Sequence, residues 1–577
     1  MSGPTNFDSR FTTNDNHEEE QRWTRVEGNI RQTEQQRIKS PVRNPFSSPF
    51  VKVIPAARCL DECLIIEISN SIRSKPHWQS KYKNEEISKK WIKEIKDQCQ
   101  DKTKYIDQII EYIFEELEWY ERVERGLGTF KIGCDDMTLF SDSAIPESLK
   151  NDFKSGMAKL VASFNGNFDY HPGSDEAVVD LVHPSLFVAQ HNVTPVVING
   201  TLEVAKFFKI TKYIFSNRFC YDSKRFQWLP TLLTKNSSGH FEFESYINNL
   251  HPVKHNDLYD SIGTIFNAVI PGLNYILTRY ASKEYVRIPI PHFEGIYTEE
   301  FHQQREALSL ELEREAEETG VEYDWKRMEE FEKTRVQFLR EFIPEWEGDP
   351  EFDKQIDLST FDNLKVIVKL ADIELTPERP VYPGGSWHIE GTENEDIIAT
   401  VLYYYDIENI SDSRLSFRTL FNDPVYQQHD NIYTEVLFGL HDNDPMVKYL
   451  GNIEAKEDRV VIFPNILQHH VDPFELTDKT KPGHRRILCF FIVNPYNDKV
   501  LTTKQVPPQN KEWWDDTSLD YLFPNNLKEK ILDLKNGETW PMNFAQAEDV
   551  RKVLMKERSM YDIPEDDVGI TFSLCEH

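Results

Sequence analysis

Positive charge is in short supply in this 577-residue chain, where 66 Lys and Arg stand against 97 Asp and Glu and leave a formal net charge of −31. That surplus repels phosphate backbones and anionic lipid surfaces, so neither nucleic acid nor membrane is an expected partner. Cysteine is scarce as well. The seven cysteines, Cys59, Cys63, Cys99, Cys134, Cys220, Cys489 and Cys575, are odd in number and scattered. They lack paired metal-site spacing and read as reduced thiols in a reducing compartment, with Cys59 and Cys63 simply buried on a shared helix face. Long apolar runs are missing too. The opening MSGPTNFDSRFTTNDNHEEE has no signal-peptide core, and no later stretch is apolar enough to span a bilayer. The expectation is a soluble cytoplasmic or nuclear protein, in which the sequons at Asn192, Asn236 and Asn409 say nothing about glycosylation. No clear internal repeat is present, and the length allows about three or four domains.

Residues 1–48 are polar and charged until Pro45 and Phe46, which predicts a disordered or draping segment. A helical region follows over 49–165, where Ile106, Ile109, Ile110, Ile113 and Leu117 recur at three- and four-residue spacing. Residues 166–361 read as mixed α/β, punctuated at its start by HPGSD and VHPSLF. Within it, HFEFESYINNLHP (240–252) alternates like a strand, and an amphipathic helix is expected over 256–279. A charge-dense insertion at 297–346 reads as two helices broken near Gly320, with the charged face in water.

From 362 to 500 the pattern becomes a series of strands: LKVIVKLADIEL, IIATVLYYYDI, RLSFRTLF, RVVIFP and RRILCFFIVNP. Short strands without intervening long helices fit an antiparallel barrel or double-sheet jelly roll, so the fold class expected is α+β, a jelly-roll barrel surrounded by helices. Residues 501–577 return to helical and polar sequence that packs on this core, ending in Cys575-Glu576-His577, whose expected role is a buried tail.

The chemistry concentrates in VYPGGSWHIEG, 381–391. If His388 to Glu390 is extended, side chains two apart project to one side, and an imidazole and a carboxylate become a pair of metal ligands. A third ligand is expected from a distant strand, and His469 and His470 both follow RVVIFPNILQ. Two histidines and one carboxylate leave three positions open on a metal, the arrangement Fe(II) needs for a bidentate co-substrate and dioxygen. A keto acid also needs a cation for its far carboxylate, and Arg485 and Arg486 open the next strand.

The order H-x-E, then a histidine in H-x-V-x-P (His469, Val471, Pro473), then G-x-R (Gly483, Arg485) resembles the Fe(II)/2-oxoglutarate-dependent oxygenase superfamily. More widely, FQWLP (226–230), SYINNLHP (245–252), GGSWHIEG, the segment from FPN to GHRR, VPPQ (506–509) and FSLCEH resemble a mainly fungal family known only as a domain of unknown function. The resemblance implies that His388, Glu390 and His469 bind iron, and that Arg485 rather than Arg486 pairs with 2-oxoglutarate. It implies a dioxygenase that consumes dioxygen and 2-oxoglutarate to hydroxylate, or oxidatively demethylate, a small molecule, an amino acid, or a peptide or protein. The retained carboxylate speaks against halogenation. Glu390 stands where aspartate is commoner, and the spacing from His469 to Arg485 is longer than usual.

Around this site, Tyr403 or Tyr405 is expected beside the co-substrate, and Trp387, Asn249 and His251 are expected to line the substrate pocket. The alternative for Asn249 and His251 is structural hydrogen bonding, since polar groups in an apolar context need partners. A metal pair from His251 and His255 is disfavoured by the intervening Pro252. Two rival functions remain open: a jelly-roll scaffold without turnover, and a cupin-type metalloenzyme that does not use 2-oxoglutarate.

Overall fold

The structure is a computed structural model that describes residues 44–46, 55–99, 101–207, 223–290, 297–336, 343, 345–348, 350, 352–426, 430–515, 540–558 and 571–573. Every element named below lies in the unit Pro45–His577. The terminal Cys575-Glu576-His577 and nearly all of 1–48 fall outside the described residues.

Alternating side chains on long apolar strands build the centre. A nine-stranded antiparallel sheet contains β1 (Lys131–Ile132), β2 (Leu139–Ser141), β3 (Val178–Val182), β4 (Thr231–Lys235), β5 (Phe241–Phe243), β6 (Asn363–Leu375), β8 (Ile397–Glu408), β11 (Val460–Pro464) and β14 (Gly483–Val493). Its order is β1-β2-β11-β8-β14-β6-β4-β5, with β3 also pairing β6. A three-stranded sheet runs β10 (Val447–Glu454), β9 (Arg414–Leu420), β12 (Gln468–Val471), and β7 (Val381–Tyr382) pairs with β13 (Phe474–Glu475). The fold is mixed α/β with antiparallel sheets, and no sheet closes into a barrel among the described residues. Strands from the expected helical and mixed regions join the large sheet, which therefore runs across the sequence boundaries at 165 and 361.

Both faces of the large sheet are buried, which is why β14 reads as the unbroken run Leu488 to Val493. On one face Leu488, Phe490, Ile492, Val401 and Ile462 pack with helices; Phe266 of the helix Asn256–Ala281 meets Phe490 with ring centroids 5.4 Å apart. A β-carbon at Gly272 would sit 2.6 Å from Ile462 Cδ1, so only glycine lets this helix approach so closely. On the other face Cys489, Phe491, Leu402 and Phe463 pack against Leu415, Phe417, Leu450 and Ile453 of the small sheet, with Phe417 and Phe463 5.0 Å apart. At about 25 cal/mol per Å² of apolar surface removed from water, this sandwich is the main source of stability.

Helices from the N-terminal region, α1 (Leu60–Arg73), α2 (Glu85–Cys99), α3 (Ile106–Gly126) and α4 (Glu147–Ser163), join α5 (Asn256–Ala281) in the helical layer. The charged insertion forms α6 (Glu299–Thr319) and α7 (Trp325–Arg335), separated at Gly320, whose φ of 66° caps α6 in the left-handed region. The strand expected over 240–252 stops at Phe243, because Ser245 turns its hydroxyl to Leu232 N–H and Thr503 instead of continuing the ladder. No helix among the described residues is long and apolar enough to cross a membrane.

Candidate metal centre

The segment 384–390 runs antiparallel to β12. Gly385 N–H donates to Val471 O at 2.9 Å, and His388 and His469 exchange two backbone hydrogen bonds of 3.2 and 3.0 Å. Gly384 has φ 97°, and a β-carbon there would come within 3.0 Å of Val471 O, so glycine is required where the two backbones close. The bridge sets the two histidines directly opposite each other, their ring centroids 4.5 Å apart.

Glu390 reaches the same point. Its Oε1 lies 3.6 Å from His388 Nε2 and 3.6 Å from His469 Nε2, and the ligand atoms of all three residues fall within 4.8 Å of one another. The far nitrogen of each ring is anchored: His388 Nδ1 to Ser386 O at 2.8 Å and His469 Nδ1 to Leu467 O at 3.4 Å. A backbone carbonyl accepts only from N–H, so each ring carries a proton on Nδ1; Nε2 then donates to Glu390 when the ring is protonated and offers its lone pair to a metal when the ring is neutral. His469 is buried, with its side chain 5% exposed, Glu390 is partly buried at 13%, and His388, 40% exposed, forms the open side.

Electrostatics follow this contact. Burial works to raise the Glu390 carboxyl, but hydrogen bonds and charge from the two histidines outweigh it and hold the group well below the ordinary carboxylate range. His388 moves up, because Glu390 overcomes burial; His469 moves down, through burial and the neighbouring His388. Asn465, fully buried, fixes the main chain of Glu390: its Oδ1 accepts from Glu390 N–H at 2.8 Å and its Nδ2 donates to Glu390 O at 2.8 Å. FPN stands in the quoted sequence, yet nothing local marks this role for its asparagine.

Arg485 and Arg486 take opposite faces of β14. Arg486 joins Asp372, Glu374 and Asp406 in a half-buried ion network. Arg485 is 2% exposed, donates to Tyr404 Oη at 3.0 Å, lies over that ring, and makes no ion pair with any described carboxylate; its Nε has no hydrogen-bond partner. Beside it, Lys369 stands in register with Cys489, a buried thiol pushed up to about 12 by burial and influenced by Lys369, Glu390 and Arg485 together. Lys369 is held above the ordinary lysine value, since Asp180 and Glu390 outweigh its burial. A lysine within the apolar strand LKVIVKLADIEL was the available signal for this inward cation.

Other expected site residues lie elsewhere. Tyr403 packs against Phe153 on the helix-facing side of β8, because neighbouring residues of a strand point oppositely; Tyr404 is the tyrosine that meets Arg485. Tyr405 shares the Tyr403 face and donates to Asp372. Trp387 points away from its neighbour His388, packing against His470 at a tilt of 35° with centroids 4.0 Å apart and lying under the Arg418 guanidinium. Asn249 donates to His183 O and Leu186 O, and His251 accepts from Val253 and Lys254 N–H while packing on Trp513. These contacts are those of the structural hydrogen-bonding alternative, and Asn249 Oδ1 has no hydrogen-bond partner.

A second cluster brings together His171 and His183, from the punctuating HPGSD and VHPSLF segments, with Asp180, which no sequence signal marked. Part of its donor set already serves the protein: His171 Nδ1 bonds Asp180 Oδ2 at 2.8 Å, Arg551 lies 3.4 Å from the same oxygen, and Ser185 N–H donates to His183 Nδ1 at 3.2 Å, while Asp180 Oδ1 has no hydrogen-bond partner. The nearby guanidinium and Lys369 disfavour a further cation there. Arg551 also grips Asp169 at 2.6 and 2.7 Å, pinning the C-terminal helix α8 (Phe544–Arg558) to the segment that lies beside β3, where Asp180 N–H donates to Asp169 O.

The family model described as "Protein of unknown function (DUF4246)" matches residues 107–517, and its N-terminal counterpart, "Domain of unknown function DUF4246, N-terminal", matches 17–94. No curated protein matches the chain. Among solved structures, IDO from Bacillus thuringiensis is 14% identical, with 23% of this chain and 49% of that one covered and a TM-score of 0.15. The Fe(II)/α-ketoglutarate-dependent dioxygenase TqaL is 18% identical, covering 23% and 43%, with a TM-score of 0.16. A bsmA homologue from Methylobium petroleophilum PM1 is 10% identical, covering 23% and 42%, with a TM-score of 0.14. The chain thus spans about half or less of the length of the solved structures it matches, and likeness of this extent carries no weight for fold or chemistry.

Proposed function

The chain belongs to the DUF4246 family, whose model covers residues 107–517, and from that premise we propose that it is a non-haem Fe(II)- and 2-oxoglutarate-dependent dioxygenase on a jelly-roll core. The observation that carries this reading is the convergence of His388 Nε2, His469 Nε2 and the Glu390 carboxylate, with both imidazoles oriented from behind by backbone carbonyls. Two neutral imidazoles and one carboxylate suit Fe(II), and the fixed Nδ1 protons make the set fit a metal rather than a chain of proton transfers. Bound Fe(II) supplies a Lewis-acidic centre with open positions, at which a chelating keto acid and dioxygen can be used to oxidise a C–H bond.

The protein's own groups then have separate duties. Glu390 brings the negative charge that offsets the cation, and Asn465 keeps its backbone in place. Arg485 is a buried guanidinium without a carboxylate partner among the described residues, which is costly unless an anionic ligand completes it. The distal carboxylate of 2-oxoglutarate is such a ligand, and a forked donor set matches it. Tyr404 holds the guanidinium, and Lys369 adds positive charge on the same face. His388, the most exposed of the three ligands, marks the side from which substrate arrives. The substrate is a small molecule, an amino acid or a peptide, hydroxylated or oxidatively demethylated; the acidic surface argues against nucleic acid.

The test is succinate formation by the purified protein given Fe(II), ascorbate and 2-oxoglutarate, with candidate substrates screened for stimulation. Basal succinate release that disappears in His388→Ala supports the proposal. Equal release by both proteins sinks it, as does silence in the wild type across the screen.

A further inference from the structure

Away from the candidate metal centre, Lys448 on β10 meets Cys63 in the first turns of α1. Lys448 Nζ lies 2.9 Å from Cys63 Sγ, across 385 residues of sequence, and makes no ion pair with any described carboxylate. A half-buried lysine that faces a thiol instead of a carboxylate is chemically unusual. Burial and the neighbouring Arg58 guanidinium pull Lys448 below the ordinary lysine value, which enriches the neutral amine whose lone pair can react. A cavity of about 140 Å³ opens beside Lys448, lined also by Arg58, Asp135, Tyr285 and Phe421, and gives a small oxidant access to the lysine, while Cys63 is itself half-buried. The separation is too long for a direct S–N bond and suits a single bridging atom.

We propose that Cys63 and Lys448 are an oxidation-sensitive modification site, at which one oxygen atom from dioxygen bridges Sγ and Nζ covalently. The thiol S–H bond and one amine N–H bond break, and S–O and O–N bonds form. Sulfur and nitrogen each give up two electrons, and dioxygen accepts four. One of its oxygen atoms enters the bridge; the other leaves as water with the two released hydrogens. Excess dithiol reverses the reaction by returning four electrons and regenerating thiol, amine and water.

The consequence is a covalent tie between α1 and the small sheet. β10 is hydrogen-bonded to β9, and β9 to β12, the strand that carries His469. Oxidation would therefore restrain the sheet that supports one of the candidate ligands. The inference does not depend on the proposed activity, because neither the cross-link nor its test uses the metal centre.

The test uses the full-length protein with a metal chelator, either equilibrated with air or kept in dithiol, then alkylated, digested and mapped by mass spectrometry. The expected result in air is a cross-linked pair of peptides containing Cys63 and Lys448, heavier than their sum by one oxygen and lighter by two hydrogens. It vanishes with dithiol and is absent from Cys63→Ser and Lys448→Arg. Complete alkylation of Cys63 in the folded, air-equilibrated wild type overturns the proposal. A cross-link lacking the oxygen, or one that joins other residues, overturns it as well. The wild-type map alone decides the matter if either variant fails to fold.

Discussion

Asn465 holds Glu390 by its main chain from both sides, accepting from its N–H and donating to its carbonyl at 2.8 Å each. The same asparagine donates to Ile397 O at 3.1 Å, so one buried amide joins the ligand-bearing segment to the start of β8. Removing it leaves Glu390 chemically intact but free to move. Asn465→Ala is expected to weaken Fe(II) binding by about 10- to 100-fold, the range for lost supporting contacts around metal ligands. It should also lower unfolding stability by about 1–3 kcal/mol through orphaned backbone groups. Anaerobic calorimetry and denaturant titration read the two effects; unchanged metal affinity would contradict the positioning role.

Arg485 yields an effect of opposite sign on stability and binding. Arg485→Met keeps much of the side-chain volume and removes a buried charge that no described carboxylate neutralises. Without ligand its melting temperature is expected to equal or exceed that of the wild type. The rise in melting temperature that 2-oxoglutarate gives the metal-loaded wild type should disappear. Arg486→Met, on the opposite face, should retain that rise. A ligand-induced shift that survives in Arg485→Met counts against the co-substrate assignment.

Acid should loosen the β3 region. Burial depresses His183 to about 3, against an unfolded value of about 6.5. Below the unfolded value the unfolded chain binds a proton that the native state refuses, so stability is fully present above about pH 6.5 and is lost as pH falls toward 3. Asp180 is depressed too, with His183 and His171 outweighing burial, and acts in the same direction at the lower end. Urea titrations between pH 7.5 and 4.5 should give a slope near 1.4 kcal/mol per pH unit from His183 below its unfolded pKa. His183→Leu should flatten that part of the curve; an unchanged slope would remove His183 as its source.

The strands and the His388–Glu390 pair were legible because they rest on local patterns, whereas His469 over His470 came only from the oxygenase resemblance. Two-residue spacing and apolar runs are written in consecutive residues, as in His388-Ile389-Glu390 and Leu488 to Val493. What lay hidden depends on register and long-range pairing. Choosing among Tyr403, Tyr404 and Tyr405 requires the pairing of β8 with β14, including the irregularity between Tyr404 and Asp406. Asn465 acts on a residue 75 positions away. Trp387, adjacent to a ligand, points away because its parity is opposite, a point that the expected strand already contained. Asn249 and His251 drew notice as polar groups in an apolar context; backbone groups take up Asn249 Nδ2 and His251 Nδ1, while Asn249 Oδ1 is left without a hydrogen-bond partner.

The central claim is that His388, Glu390 and His469 form one iron site, and anaerobic Fe(II) calorimetry on the wild type, Glu390→Ala and His171→Ala tests it most directly. The account predicts one site per chain in the wild type, affinity lowered by more than about 100-fold in Glu390→Ala, and no change in His171→Ala. Equal Fe(II) affinity in the wild type and a folded Glu390→Ala, or loss of binding only in His171→Ala, would contradict it.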